Sequence, residues 1–155
     1  MTMDVTIGSC RGTTDEDGYI ENYFSAARVE TLTRPDAPSP PGSWMAPRVN
    51  AFGMNNPSWE RFFERQPIMR EIFSEDVPTH VYPHAFKITE IDREHVRGAL
   101  AAHREKHPDI EPAFKQGKKT ERELAEMDLA ILEWFAWWID YAFKAEGTPT
   151  IEVTC

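Results

Sequence analysis

The segment 120–146 constrains the fold more than any other part of the chain. It begins Thr120-Glu121-Arg122-Glu123. This is the capping-box pattern, in which a hydroxyl and a carboxylate satisfy the free backbone N–H groups at a helix start. Gly147 supplies the residue that most easily ends a helix, and Pro149 keeps it from resuming. Between these ends the side chains sort by helical period. At about 100° per residue, Arg122, Glu126, Glu133, Asp140 and Lys144 fall on one narrow stripe. Leu124, Met127, Ile131, Trp134, Phe135, Trp138, Ile139 and Phe143 spread over the much broader opposite side. An apolar side that wide needs more than one neighbour to cover it, so this helix is expected near the centre of the molecule.

Two residues break the pattern. Trp137 falls beside Glu133 and Asp140 on the polar stripe, where an exposed indole would be an interaction hot spot unless the proline-rich segment covers it. Asp128 points into the apolar side, where a carboxylate needs a partner. Arg61 and Arg97 are candidates for that partner. A ligand, or exposure at the edge of the face, are the other readings.

The rest of the chain reads as short elements around this helix. Val5–Ile7, Val49–Phe52, Phe86–Ile88 and 148–155 have the alternation or length of strands. Residues 19–29 place Tyr19, Ile20, Tyr23, Phe24 and Ala27 at helical spacing after Asp17. Asn56 and Pro57 look like the cap and first turn of a helix carrying Trp59, Phe62 and Phe63. Pro67 interrupts it, and a second short helix with Ile68, Met69, Ile72 and Phe73 is expected beyond. Asp92 reads as the cap of a further helix to His107, with Ile91 and Val96 as a hydrophobic staple. Phe114 and Gly117 fall in a linker before the long helix.

Residues 31–49 stand apart, with five prolines and Gly42. That excludes regular helix and central strand. It leaves a flexible loop or an extended segment laid over the domain, anchored by Trp44 and Met45. Strands that alternate irregularly with helices predict an α+β fold over 1–155. A small mixed or antiparallel sheet would carry helices packed against it around the long C-terminal helix. The length suits one domain.

Charge narrows the function classes. The formal net charge is −9 and the pI about 5.0. No basic block is present to meet phosphodiester backbones or anionic lipid, so nucleic acid and membrane surfaces are disfavoured as partners. A basic protein or a cationic ligand would be attracted. No apolar run approaches the length of a membrane span. Cys10 and Cys155 can pair or remain two thiols, and the second reading, with no signal-like start, implies a reducing, cytoplasmic setting.

Motifs for chemistry are sparse. His103 and His107 are four apart on one helix, but His-Arg-Glu-Lys-His lacks the glutamate directly after the first histidine that zinc proteases use. Their spacing is compatible with a metal pair, which Asp109 or Glu111 could join. Cys10 after a strand and beside Arg11 could be a thiolate nucleophile. No glycine-rich phosphate loop and no Gly-x-Ser-x-Gly elbow occurs, and no cofactor is implied.

Three functions remain. The first is an acidic protein-binding module, adaptor or inhibitor acting through an aromatic and carboxylate-rich surface of Trp137, Trp44, Glu133 and Asp140. The second is a small enzyme or ligand-binding domain with a His80, His84, Asp128 and Arg97 pocket beside the long helix. The third is a ligand-binding regulatory domain with walls from Trp134, Trp137 and Trp138.

Overall fold

A computed structural model describes residues 2–10, 29–41, 47–73 and 84–154, with His84 described by its backbone alone. The fold is α+β. Four strands, β1 (Thr2–Cys10), β2 (Ala51–Asn55), β3 (His84–Lys87) and β4 (Thr148–Thr154), form one antiparallel sheet in the order β2-β1-β4-β3. Helices α1 (Asn56–Arg65), α2 (Glu90–Lys106) and α3 (Glu121–Lys144), with a 3₁₀ helix at Pro67–Ile72, complete the described elements.

Register follows side-chain alternation. Val5 lies opposite Phe52 on one side and Val153 on the other; Ile7 lies opposite Ile151, which lies opposite Phe86. These residues are all buried and share one face of the sheet. Onto that face α3 brings Ile131, Leu132, Trp134, Phe135, Trp138 and Ile139, each at most 1% exposed. Each such burial stabilises the fold by roughly 1.5–3 kcal/mol. Phe52 is the hub of the aromatic core, with its ring centroid 4.8 Å from Trp134, 5.1 Å from Trp59 and 6.1 Å from Phe135. The broad side of α3 does meet several neighbours, since β1, β4 and α2 all pack on it.

The helix ends follow the sequence pattern closely, with two corrections. At α3, the Thr120 hydroxyl accepts from the Glu123 N–H, and the Glu123 carboxylate accepts from the Thr120 N–H. The Lys115 ammonium, 2.7 Å from Glu123, and the Thr120 N–H together hold this carboxyl down at about 2. Gly147 has φ 106°, and a Cβ there would lie 2.7 Å from the Cys10 carbonyl oxygen. Only glycine fits that turn.

At α1 the cap is Asn55, not Asn56: the Asn55 carboxamide accepts from the Ser58 N–H at 2.8 Å, so Pro57 sits at the second helical position. At α2 the cap is Thr89, not Asp92. Thr89 and Asp92 form a reciprocal capping box at 2.8 and 3.1 Å, which starts the helix three residues early. Ile91 is therefore turned outward, 67% exposed, and makes no staple. The helix expected over 19–29 lies almost wholly outside the described residues.

The proline-rich region is a tied strap in its described parts. Thr33 and Val49 form a bridge, and Arg34 N–H donates to the Arg48 carbonyl. Ala37 is fully buried. Fully buried Asn50 anchors the strap. Its amide donates to the carbonyls of Ile7 (2.9 Å) and Glu30 (2.8 Å), and its oxygen accepts from Leu32 N–H at 2.7 Å.

Asp4 is a local cost. One carboxylate oxygen is buried without a described hydrogen-bond partner, over the space a Cβ of Gly53 would fill. Burial pushes its pKa up. A raised folded pKa means a contribution fully present below the unfolded value near 3.8 and lost as pH rises through the folded value. Asp4→Asn is thus expected to raise the melting temperature at pH 7 and leave it little changed at pH 3, measured by thermal melts at both values.

Candidate functional site

Three concavities formed by the described residues adjoin α3, and they divide the candidate residues among them. The first runs between α2 and α3. Antiparallel packing sets early α2 against late α3. Arg93 Nε and Arg97 Nη2 both donate to Asp140 Oδ1, at 2.9 and 3.0 Å, and Arg104 Nη2 donates to Glu133 Oε1 at 2.9 Å. Trp137 lies between these two carboxylates. It is half-buried and stacks on Tyr141 with 7° between ring planes at 5.9 Å. Arg34 closes that stack, donating to the Tyr141 hydroxyl at 2.8 Å with its guanidinium over the ring. The strap supplies the opposite wall, so that Asp36, Ala37, Pro38 and Arg48 face Trp137 across a cleft of about 390 Å³. Arg48 holds a positive φ of 59°, which costs a non-glycine residue strain, and its guanidinium donates to the Ala37 carbonyl.

The second concavity, about 770 Å³, lies where α1, the 3₁₀ helix, α2 and the start of α3 meet. Asp128 is here. It is 2% exposed, and Arg65 grips it with Nε and Nη2, both at 2.9 Å. The expected partners were Arg61 and Arg97. Arg97 is held at Asp140 and Glu94 instead, and Arg61 lines a different hollow. The next residue, Gln66, extends the clamp. Its side-chain N–H meets His103 Nδ1 at 3.2 Å, while His103 Nε2 lies 2.8 Å from the Ala125 carbonyl. A carbonyl only accepts, so Nε2 carries the proton and Nδ1 accepts from Gln66. Both ring nitrogens of His103 are thereby hydrogen-bonded within the protein. His107 packs on its ring at 4.8 Å. Among the described residues no group of three His, Cys, Asp or Glu could hold a metal ion.

The third concavity, about 360 Å³, adjoins the second through Arg65 and Leu124 and is floored by the end of β2 and the start of α1.

The structure therefore brings Trp137, Glu133 and Asp140 together and does not bring Asp128 to Arg97. Asp128 and Asp140 are twelve residues apart on one helix, about 18 Å at 1.5 Å per residue. Trp134 and Trp138 are fully buried, so of the three proposed tryptophan walls only Trp137 lines a cleft. His80 and Trp44 lie outside the described residues, and of His84 only the strand pairing with Val153 is described. Cys10 is buried, and Arg11 and Cys155 lie outside the described residues. Sequence reasoning missed Arg65, Gln66 and Asn50. The adjacent pair Arg65-Gln66 at the end of α1 was the available signal. No described helix is long and apolar enough to cross a membrane. Comparison of the chain with protein-family models, with curated proteins and with solved structures finds no match.

Proposed function

We propose that this chain is a protein-binding module whose recognition surface is the Trp137 cleft. Its partner would insert a long basic side chain there, an arginine or lysine with its apolar stem on the indole. The observation that carries this reading is the position of Trp137 itself. Trp59, Trp134 and Trp138 are core residues, whereas Trp137 lies half-covered in a cleft with an apolar floor and a charged rim. That is the anatomy of an interface hot spot.

The rim favours a cation. Among the described residues its two arginines are committed, Arg48 to the Ala37 carbonyl and Arg104 to Glu133. Acceptor oxygens are left over. Asp140 uses Oδ1 for both its arginines, leaving Oδ2 without a described partner, and the exposed Asp36 carboxylate has none. The net charge of −9 draws the same kind of partner from a distance. The polar groups of the Asp128 region, by contrast, are largely satisfied by one another, which supports a bracing role for them. The cytoplasmic setting inferred from the sequence belongs to the same proposal.

A peptide-display selection tests it. Enriched peptides are expected to carry arginine or lysine beside an apolar residue. They should bind Trp137→Leu at least about tenfold more weakly, a loss of 1.4 kcal/mol or more. Affinity should also fall with added salt. Peptides that bind Trp137→Leu as well as the parent protein, or that are enriched for acidic residues, would overturn the reading.

A further inference from the structure

The third concavity has a composition that the overall charge does not explain. It is lined by Arg61, Arg65 and Lys119, by the polar residues Ser58 and Gln116, and by Phe114, and among the described residues no carboxylate lines it. In a chain with 26 acidic and 17 basic residues, three cations lining one hollow, with a described ion pair at Arg65 alone, are a departure that calls for a cause. Two carboxylates contact residues that line the hollow, and one of them, Asp4, has an oxygen without a described partner. Asp128 occupies the Nε and Nη2 edge of Arg65, leaving the Nη1 donors of Arg65 uncommitted. Asp4 lies over the backbone of Gly53.

Arg61 and Lys119, two of the three cations, have no carboxylate partner among the described residues. Arg61 has no described hydrogen bond or ion pair. The Lys119 ammonium donates only to the Gly117 carbonyl, at 2.9 Å, and stands 6.0 Å from the Phe114 ring centroid. Phe114 is 37% exposed, one of two large apolar side chains so placed among the described residues. A ring lying open beside unpaired cations offers a stacking face next to an anion cradle.

We infer that this hollow is a binding site for a small phosphate monoester carrying a flat ring. The phosphate would sit among Arg61, Lys119 and the free edge of Arg65, and the ring would lie on Phe114. A phosphate monoester fits better than a carboxylate. It presents three acceptor oxygens and close to two negative charges to two unpaired cations, the free edge of Arg65 and two polar side chains, and arginine forks match its oxygens. The site lies toward the opposite end of α3 from Trp137, so it stands independently of the protein-binding proposal.

Calorimetric titration of the full chain in phosphate-free buffer tests the inference, with phenyl phosphate, inorganic phosphate and benzoate as probes. Phenyl phosphate is expected to saturate with a submillimolar Kd, roughly tenfold tighter than inorganic phosphate. Arg61→Gln should weaken both phosphates about tenfold or more. Phe114→Leu should bring phenyl phosphate down to the affinity of inorganic phosphate and leave inorganic phosphate unchanged. Lys119→Gln provides a second variant should Arg61→Gln not fold. The inference is overturned by phenyl phosphate that does not saturate below about 10 mM, by binding that survives both charge substitutions, or by benzoate binding as tightly as phenyl phosphate.

Discussion

Arg65→Met is expected to destabilise the protein by about 3–5 kcal/mol, because it strands the Asp128 carboxylate in the core without a counterion. Asp128 is 2% exposed and takes both its hydrogen bonds from one guanidinium. The opposite truncation should be milder. Arg65 keeps about a quarter of its side chain exposed and can turn toward water, so Asp128→Asn should cost roughly 1–3 kcal/mol. The double variant Arg65→Met/Asp128→Leu removes both charges and should recover most of the loss, since apolar replacement of a whole buried pair is often neutral or better. Equilibrium urea denaturation of the three variants measures all of this. A cost below about 1 kcal/mol for Arg65→Met would place the pair with exposed salt bridges instead.

Trp134→Ala should cost a similar amount, about 3–5 kcal/mol. The ring is fully buried and packs edge-on against Phe52 and Phe135, and its Nε1 donates to the Val49 carbonyl at 3.0 Å. The milder Trp-to-Phe change separates packing from hydrogen bonding. Trp134→Phe leaves the Val49 carbonyl without its donor. Trp138 is equally buried, but its indole nitrogen has no hydrogen-bond partner among the described residues. Trp138→Phe therefore relieves an unsatisfied donor while Trp134→Phe creates an unsatisfied acceptor. The first should be less destabilising by roughly 1–3 kcal/mol, read from denaturation midpoints at equal slope. Equal losses would mean that ring volume alone governs both positions.

Much of α3 is legible in the sequence, because its determinants are local. A capping box, a terminal glycine and a 3.6-residue period are all written within one segment. The α+β class was legible for the same reason. The partner of Asp128 was not, although the need for one was. Choosing among arginines requires the packing of one helix on another, and that is a tertiary fact. Once α2 runs antiparallel to α3, Arg97 falls beside Asp140 and Arg65 becomes the arginine at Asp128. The caps of α1 and α2 were misplaced by one and three residues because Asn55 and Thr89 are as competent as their neighbours. Net charge was the least informative feature about the concave surfaces. The polar stripe of α3 is largely neutralised by arginines from α2, and the third hollow is basic.

The Trp137 cleft is where the account is most directly tested. The five indole N–H resonances of the chain can be followed by ¹H–¹⁵N NMR while N-acetylarginine amide, the smallest ligand carrying the proposed anchor, is added at low salt. The Trp137 indole should shift in a saturable way, with those of Trp59, Trp134 and Trp138 unmoved, and Asp140→Asn should weaken the effect. An unmoved Trp137 indole, or the same shift on addition of N-acetylglutamate amide, would contradict the proposal that this cleft receives a basic side chain.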